Sequence, residues 1–146
     1  MTFRHGEFTL DDDRSKVDFE RVHAWLSGSY WSPGVERHRV ERAAEHSALV
    51  VGAYGEAGQV GYLRVVSDAT TFAWVCDVWV DESVRGAGLG QAMLAFAQAH
   101  PHLTGLRRWV LATLDAHGVY EKCGFALIPN AERWMIYFPG GKRPLC

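Results

Sequence analysis

The sequence has few of the residues that would mark it as a stapled, secreted, membrane-spanning or nucleic-acid-binding chain. Its three cysteines, Cys76, Cys123 and Cys146, are odd in number and form no CxxC pair. That spacing argues against a disulfide framework or a structural zinc site, and no metal is expected. No run approaches the ~20 apolar residues that a spanning helix needs. The first twenty residues are acidic and lack the apolar centre of a signal peptide, so a cytoplasmic protein without membrane attachment is the expectation. Lys and Arg total 15 against 17 Asp and Glu, for a formal net charge of −2, which gives no basic face for nucleic acid. Internal repeats, low-complexity stretches and Pro/Ser-rich linkers are absent as well. A length of 146 residues fits one domain over 1–146, large enough to bury about 68–70% of the unfolded chain's surface.

What is present is patterning. Phe8 to Leu10 reads as a short first strand. Phe19, Val22 and Leu26 recur at helical spacing between Asp18 and Ser29. Ser32-Pro33 has the form of a helix start, with Val40, Ala43 and Ala44 on the apolar side of that second helix. Segments 48–54, 59–67 and 71–80 are rich in Val, Tyr, Phe and Trp and are separated by turn residues, which predicts an antiparallel meander. From Gly88 to Ala99 the period switches to helical, and Pro101 ends it. Segment 108–113 reads as a strand, 115–122 as a short helix capped by Asp115, Gly124-Phe125 as the exit into another strand, and 134–138 as the last strand before a polar tail at 140–143. The fold class is α+β or mixed α/β, built on one sheet.

Between a strand and an amphipathic helix lies Arg85-Gly86-Ala87-Gly88-Leu89-Gly90. Glycines there allow positive φ and close approach of a ligand. The free N–H groups of the following helical turn, with its dipole, suit phosphate oxygens. No Lys-Ser/Thr follows, so this is not a P-loop. Gln91 stands where a dinucleotide fingerprint needs its third glycine. A tight turn without a ligand is the plain alternative.

A second segment decides between these readings. Arg85, Gly88 and Gly90 after the strand that carries Val78 and Val80, followed downstream by Ala116, Tyr120, Gly124 and Phe125, resemble the GCN5-related N-acetyltransferase (GNAT) superfamily. The resemblance covers roughly 48–138. It implies a mixed, mostly antiparallel sheet flanked by helices and splayed in the middle, between segments 71–80 and 108–113. It also implies acetyl transfer from acetyl-CoA, as cosubstrate, to an amine.

On that resemblance, Arg85, Gly86, Ala87, Gly88, Leu89 and Gly90 would hold the coenzyme pyrophosphate, and the backbone of Val78, Trp79 and Val80 would pair with the pantetheine amides. A bulge in this strand would aim a backbone N–H at the thioester carbonyl. Tyr120 is the candidate general acid, because a phenol with a reference pKa near 10 stays protonated at neutral pH; it also packs against the coenzyme. Where several family members carry a Glu base, this chain has Cys76. Ordered water, then His117 three residues before Tyr120, then Asp77 are the candidates to replace it; strand alternation would place Cys76 and Asp77 on opposite faces. Trp25, Tyr30, Trp31, Arg64 and Asp68 are candidates to line the acceptor site, with ring faces attracting a cation. A small-molecule amine is expected as partner, and a homodimer is compatible with the sequence. The competing function is a coenzyme-binding sensor or partner-binding module that has lost turnover.

Overall fold

The computed structural model describes residues 1–141. Cys146 and the end of the tail expected at 140–143 lie outside them. Six strands follow one another in both sequence and space: β1 (Thr2–His5), β2 (Phe8–Asp11), β3 (Leu49–Gly55), β4 (Gly58–Ser67), β5 (Phe72–Val80) and β6 (Arg108–Val110). Neighbours are antiparallel except β5 and β6, which run parallel.

The two faces of the sheet follow from alternation along the strands. Val51, Leu63, Val65, Ala73 and Val75 point to one face and pack on Leu89, Met93, Phe96 and Ala97 of helix α3 (Leu89–Gln98). Val50 and Tyr62 point to the other, where Val22 and Leu26 of α1 (Phe19–Ser27) and Val40 and Ala44 of α2 (Arg37–Glu45) cover them. Asp18 caps α1, its side chain accepting from Arg21 N at 3.0 Å.

The sheet splays where the sequence places the split. β5 and β6 pair over three residues only, Phe72 with Arg108 through Trp74 with Val110. Beyond them the strands diverge, so the strand expected over 108–113 is regular only to Val110. From Val75 to Val80, β5 is paired on its β4 side and open on the other.

Four local expectations give way to competing chemistry. Ser32-Pro33 does not start α2. Pro33-Gly34 forms the centre of a turn in which Val35 N donates to Ser32 O at 3.1 Å and Gly34 takes φ 68°, the arrangement a type II turn asks of Pro-Gly. A first hairpin strand, β1, is present although its side chains are mostly exposed; the two-residue turn Gly6-Glu7, with Gly6 at φ 59°, sets its register. Asp115 does not cap α4 (His117–Glu121), whose preceding residue Ala116 instead donates its N–H to Thr113 Oγ1 at 3.1 Å. Neither the chain after Phe125 nor segment 134–138 joins the sheet: β6 keeps no partner on its outer side among the described residues.

Candidate active site

The splay leaves a cleft of about 1000 Å³ between the open edge of β5 and the chain from Leu111 to Lys122. One end is built by the turn into α3. Gly86 and Gly88 take φ 94° and 72°, and Gly88 serves as the N-cap of α3 with no side chain bonded to the first-turn N–H groups. Those groups remain available to an anion, aided by the helix dipole. Arg85 is fixed beside them: its Nε donates to Val80 O at 3.0 Å, and its guanidinium lies 5.3 Å from the Trp79 ring centroid. Arg85, Gly86, Gly88, Leu89 and Gly90 line the cleft. Ala87 does not; its carbonyl accepts from His5 Nε2 at 2.9 Å, which ties the loop to β1.

Val78, Trp79 and Val80 line the cleft along the unpaired edge, where their main chain can accept an extended ligand as an added strand. The register between β4 and β5 shifts here, since Arg64 opposes Cys76 while Tyr62 opposes Trp79. Asp77 and Val78 therefore share one partner position, which is a β-bulge, and Asp77 takes φ 52°. The Asp77 carboxylate supports that backbone by accepting from Arg64 Nε and, at 3.0 Å, from Trp31 Nε1. Burial opposes the Arg64 charge, but Asp77 and Cys76 beside it hold its pKa above the ordinary arginine value.

The bulge corrects the alternation argument, because Cys76 and Asp77 both stand beside Arg64. Burial raises the Cys76 thiol to about 11, so it is neutral at pH 7 and no substitute for a carboxylate base.

Across the cleft, α4 presents Tyr120. The motif spacing has a structural reason. Gly124, at φ 86°, ends the helix in the left-handed conformation, and Phe125 N donates back to Tyr120 O at 3.1 Å. That return packs Phe125 edge-on against the Tyr120 ring, centroids 6.2 Å apart. Burial, reinforced by Tyr30, Cys123 and Asp115, pushes the Tyr120 phenol up to about 12. His117 does not share this setting: it is exposed and borders a separate groove on the far side of α4.

The candidate acceptor residues divide. Tyr30, Trp31 and Arg64 line the cleft. Trp25 lies behind its wall, stacked on Trp79 at 6.5 Å. Asp68 is elsewhere, holding the β4–β5 turn by accepting from Thr70 N, Thr71 N and Thr71 Oγ1, bonds that depress its carboxyl below the usual range. Sequence reasoning missed Trp74, which shares the cleft wall with Cys76 two residues on. It also missed a link across the mouth, in which Leu114 N donates to the Tyr30 hydroxyl at 3.0 Å. The signal for Trp74 was available in the i, i+2 spacing; the link joins residues 84 positions apart and leaves no local trace.

Among the described residues, no cluster of His, Cys, Asp and Glu has the makings of a metal site, and no helix is long and apolar enough to cross a membrane.

Comparison with known proteins agrees with this geometry. The family model for the acetyltransferase (GNAT) domain matches residues 45–127. A chloroplastic serotonin N-acetyltransferase of rice, Oryza sativa subsp. japonica, is 34% identical over 111 residues, covering 73% of this chain and 56% of the rice protein. The chain thus spans little more than half that relative's length. A crystal structure from Xanthomonas campestris pv. campestris, of a protein assigned to the GNAT acetyltransferases, superposes with a TM-score of 0.85 at 37% identity, over 94% of this chain and 98% of that one. Glucosamine-6-phosphate N-acetyltransferase of Arabidopsis thaliana has the same fold, with a TM-score of 0.61 at 20% identity over 90% and 97% of the two chains. With a matched domain model spanning more than half its length, and a split sheet, glycine turn and tyrosine helix arranged about one cleft, this chain belongs to the GNAT family of acetyltransferases.

Proposed function

We propose that the protein transfers an acetyl group from acetyl-CoA to the amine of a small-molecule acceptor by direct attack on the thioester. The observation that carries this reading is the single cleft joining three features: a helix start suited to an anion, an open strand edge, and a half-buried phenol. The family's donor supplies an activated acyl group with a good leaving thiolate. The chain's own residues supply orientation, charge stabilisation and a proton.

In this reading the first-turn N–H groups of α3 and the Arg85 guanidinium hold the pyrophosphate, and a fit is supported by the left-handed Gly88, which opens the helix with no side chain bonded to those groups. The main chain of Val78 to Val80 aligns the pantetheine arm. The bulge at Asp77 turns a backbone N–H away from the β4 ladder, which suits it to stabilise a developing oxyanion. Tyr120 keeps its proton far above neutral pH and gives it to the departing sulfur. Cys76 is neutral and the Asp77 carboxylate is engaged by Arg64 and Trp31, so ordered water takes the proton of the attacking amine.

Tyr30, Trp31 and Trp74 give the acceptor end an aromatic lining around the neutralised Arg64–Asp77 pair. Such walls favour an amine on a compact apolar or aromatic body. The similarity to a serotonin N-acetyltransferase supports placing arylalkylamines first among candidates. The second reading, coenzyme binding without turnover, is favoured by Cys76 at the position of the usual base. A panel of amines with acetyl-CoA, read by release of free thiol, distinguishes the two. Amine-dependent release is expected; tight acetyl-CoA binding with no release for any amine would favour the sensor.

A further inference from the structure

The acceptor end of the cleft holds one charged group whose hydrogen bonds are mostly unspent. Arg64 stands on the same face of β4 as Tyr62, lines the cleft, and bonds Asp77 through Nε. Among the described residues, its terminal nitrogens Nη1 and Nη2 donate to no protein acceptor. Neither is sealed from solvent, unlike the unpartnered Tyr62 hydroxyl and Trp79 Nε1, and the side chain as a whole is 19% exposed.

Asp77 does not account for that edge. Its Oδ2 accepts from Arg64 Nε and its Oδ1 from Trp31 Nε1. A lysine would neutralise the same carboxylate; a guanidinium adds a second planar edge of two parallel N–H bonds, the shape that matches a carboxylate. The same two bonds withdraw Asp77 as a partner for a substrate cation. The other lining carboxylate, Asp115, precedes α4 on the opposite wall. Beside the bulge, the charged group with bonds left to give is a donor.

We infer that Arg64 is a specificity residue that takes the carboxylate of the acceptor, which narrows the arylalkylamines to aromatic α-amino acids. The inference rests on reading this cleft as an acetyl-transfer site. Position supports it as well as chemistry. Arg64 is bonded to the bulge residue, beside the backbone N–H assigned to the thioester carbonyl, so an oxygen held by the guanidinium lies close to the reacting amine. A carboxylate on the carbon that bears the amine meets that requirement. Tyr30, Trp31 and Trp74 wall the same end and suit a flat apolar side chain. Selectivity follows because an amine without a carboxylate leaves a part-buried charged edge without its acceptor.

Three compounds with one ring in common separate the contributions: L-phenylalanine; 2-phenylethylamine, which lacks the carboxylate; and 3-phenylpropionate, which lacks the amine. The full chain is titrated calorimetrically in saturating coenzyme A, so that no transfer occurs. Phenylalanine and 3-phenylpropionate should bind about 10–100-fold more tightly than 2-phenylethylamine. Arg64→Lys keeps a cation for Asp77 but has no fork, and in it the three affinities should draw together. Equal or weaker binding of the two carboxylates by the native protein would overturn the inference, as would a preference that Arg64→Lys retains in full. The native comparison decides the matter should that variant fail to fold. Thiol release from acetyl-CoA tests the transfer reading separately. A protein that ranks the ligands as expected yet releases thiol with no amine keeps the inference and loses that reading. One that acetylates 2-phenylethylamine as readily as phenylalanine keeps the reading and loses the inference.

Discussion

Gly88 offers a substitution whose two consequences, on stability and on binding, can be separated. Its φ of 72° lies in the left-handed region, so Gly88→Ala costs about 1–2 kcal/mol in the folded protein. At ~2–4 °C per kcal/mol for a chain of this size, Tm should fall by roughly 2–8 °C. The added methyl meets no protein atom closer than His5 Nε2 at 3.9 Å, so the fold has room for it. Relief of the strain would move the N-cap of α3 out of its left-handed conformation and turn the first-turn N–H groups from their present direction. Each N–H bond to a charged oxygen contributes about 1.5–3 kcal/mol, so displacing the pyrophosphate from even one of them weakens binding by at least ~10-fold. Gly105 provides the control. It sits at φ 77° with nothing within 4 Å of an added Cβ, and it is not part of the cleft. Gly105→Ala should show the same loss of Tm with unchanged acetyl-CoA affinity. Calorimetric titration of both folded variants decides the matter. Equal acetyl-CoA affinity in native and Gly88→Ala protein would refute the assignment of this loop to the pyrophosphate.

Further outcomes follow from the other walls of the cleft. Tyr120→Phe deletes only the hydroxyl, so turnover should fall by about 10²–10⁴-fold while acetyl-CoA affinity changes little; a donor with a better leaving thiol should rescue the variant more than the native enzyme. Because burial raises the phenol to about 12, it stays protonated through the pH range in which amines become neutral, and native kcat should show no alkaline fall below about pH 11; a fall near pH 9 would remove Tyr120 from the acid role. Asp77→Ala leaves Arg64 charged, largely buried and unpaired, which should destabilise the protein by about 3 kcal/mol, read as a lower Tm. It also releases Trp31, so the KM for the amine should rise more than that for acetyl-CoA, whereas equal changes in both would show that the pair does not shape the acceptor end.

The strands and helices that carry buried side chains were legible because burial imposes a period. Val51, Leu63, Val65 and Val75 alternate toward α3, and Leu89, Met93 and Phe96 recur along its inner face. Both ends of the cleft were legible for a different reason: glycines at 88 and 124 occupy left-handed positions that fix the loop and the tyrosine helix, and a glycine is readable directly in sequence. Other features left weaker marks. β1 pairs through its backbone with exposed side chains, so no pattern betrays it. Pro33-Gly34 satisfies a turn as well as Ser32-Pro33 suggests a helix, and only Gly34's positive φ decides. Asp68 and His117 are residue types suited to chemistry that the chain places in a turn and on an outer helix face. Segment 134–138 has a strand's composition, but among the described residues it lies outside the sheet.

The bulge at Asp77 changes how β5 is numbered against the core. Before it the core-facing positions are odd, Ala73 and Val75; after it they are even, Val78 and Val80. The hydrophobic pattern of this strand therefore contains a fault in phase, and the fault falls at the cleft. Removing Asp77 would restore regular alternation, leaving Val78 and Val80 toward α3 and Trp79 on the other face, and would erase the bulge. The core would therefore be indifferent to the loss of position 77, and the cleft would not. A single break in an otherwise regular alternation, found in any sequence, points to where a strand has stopped serving only the core.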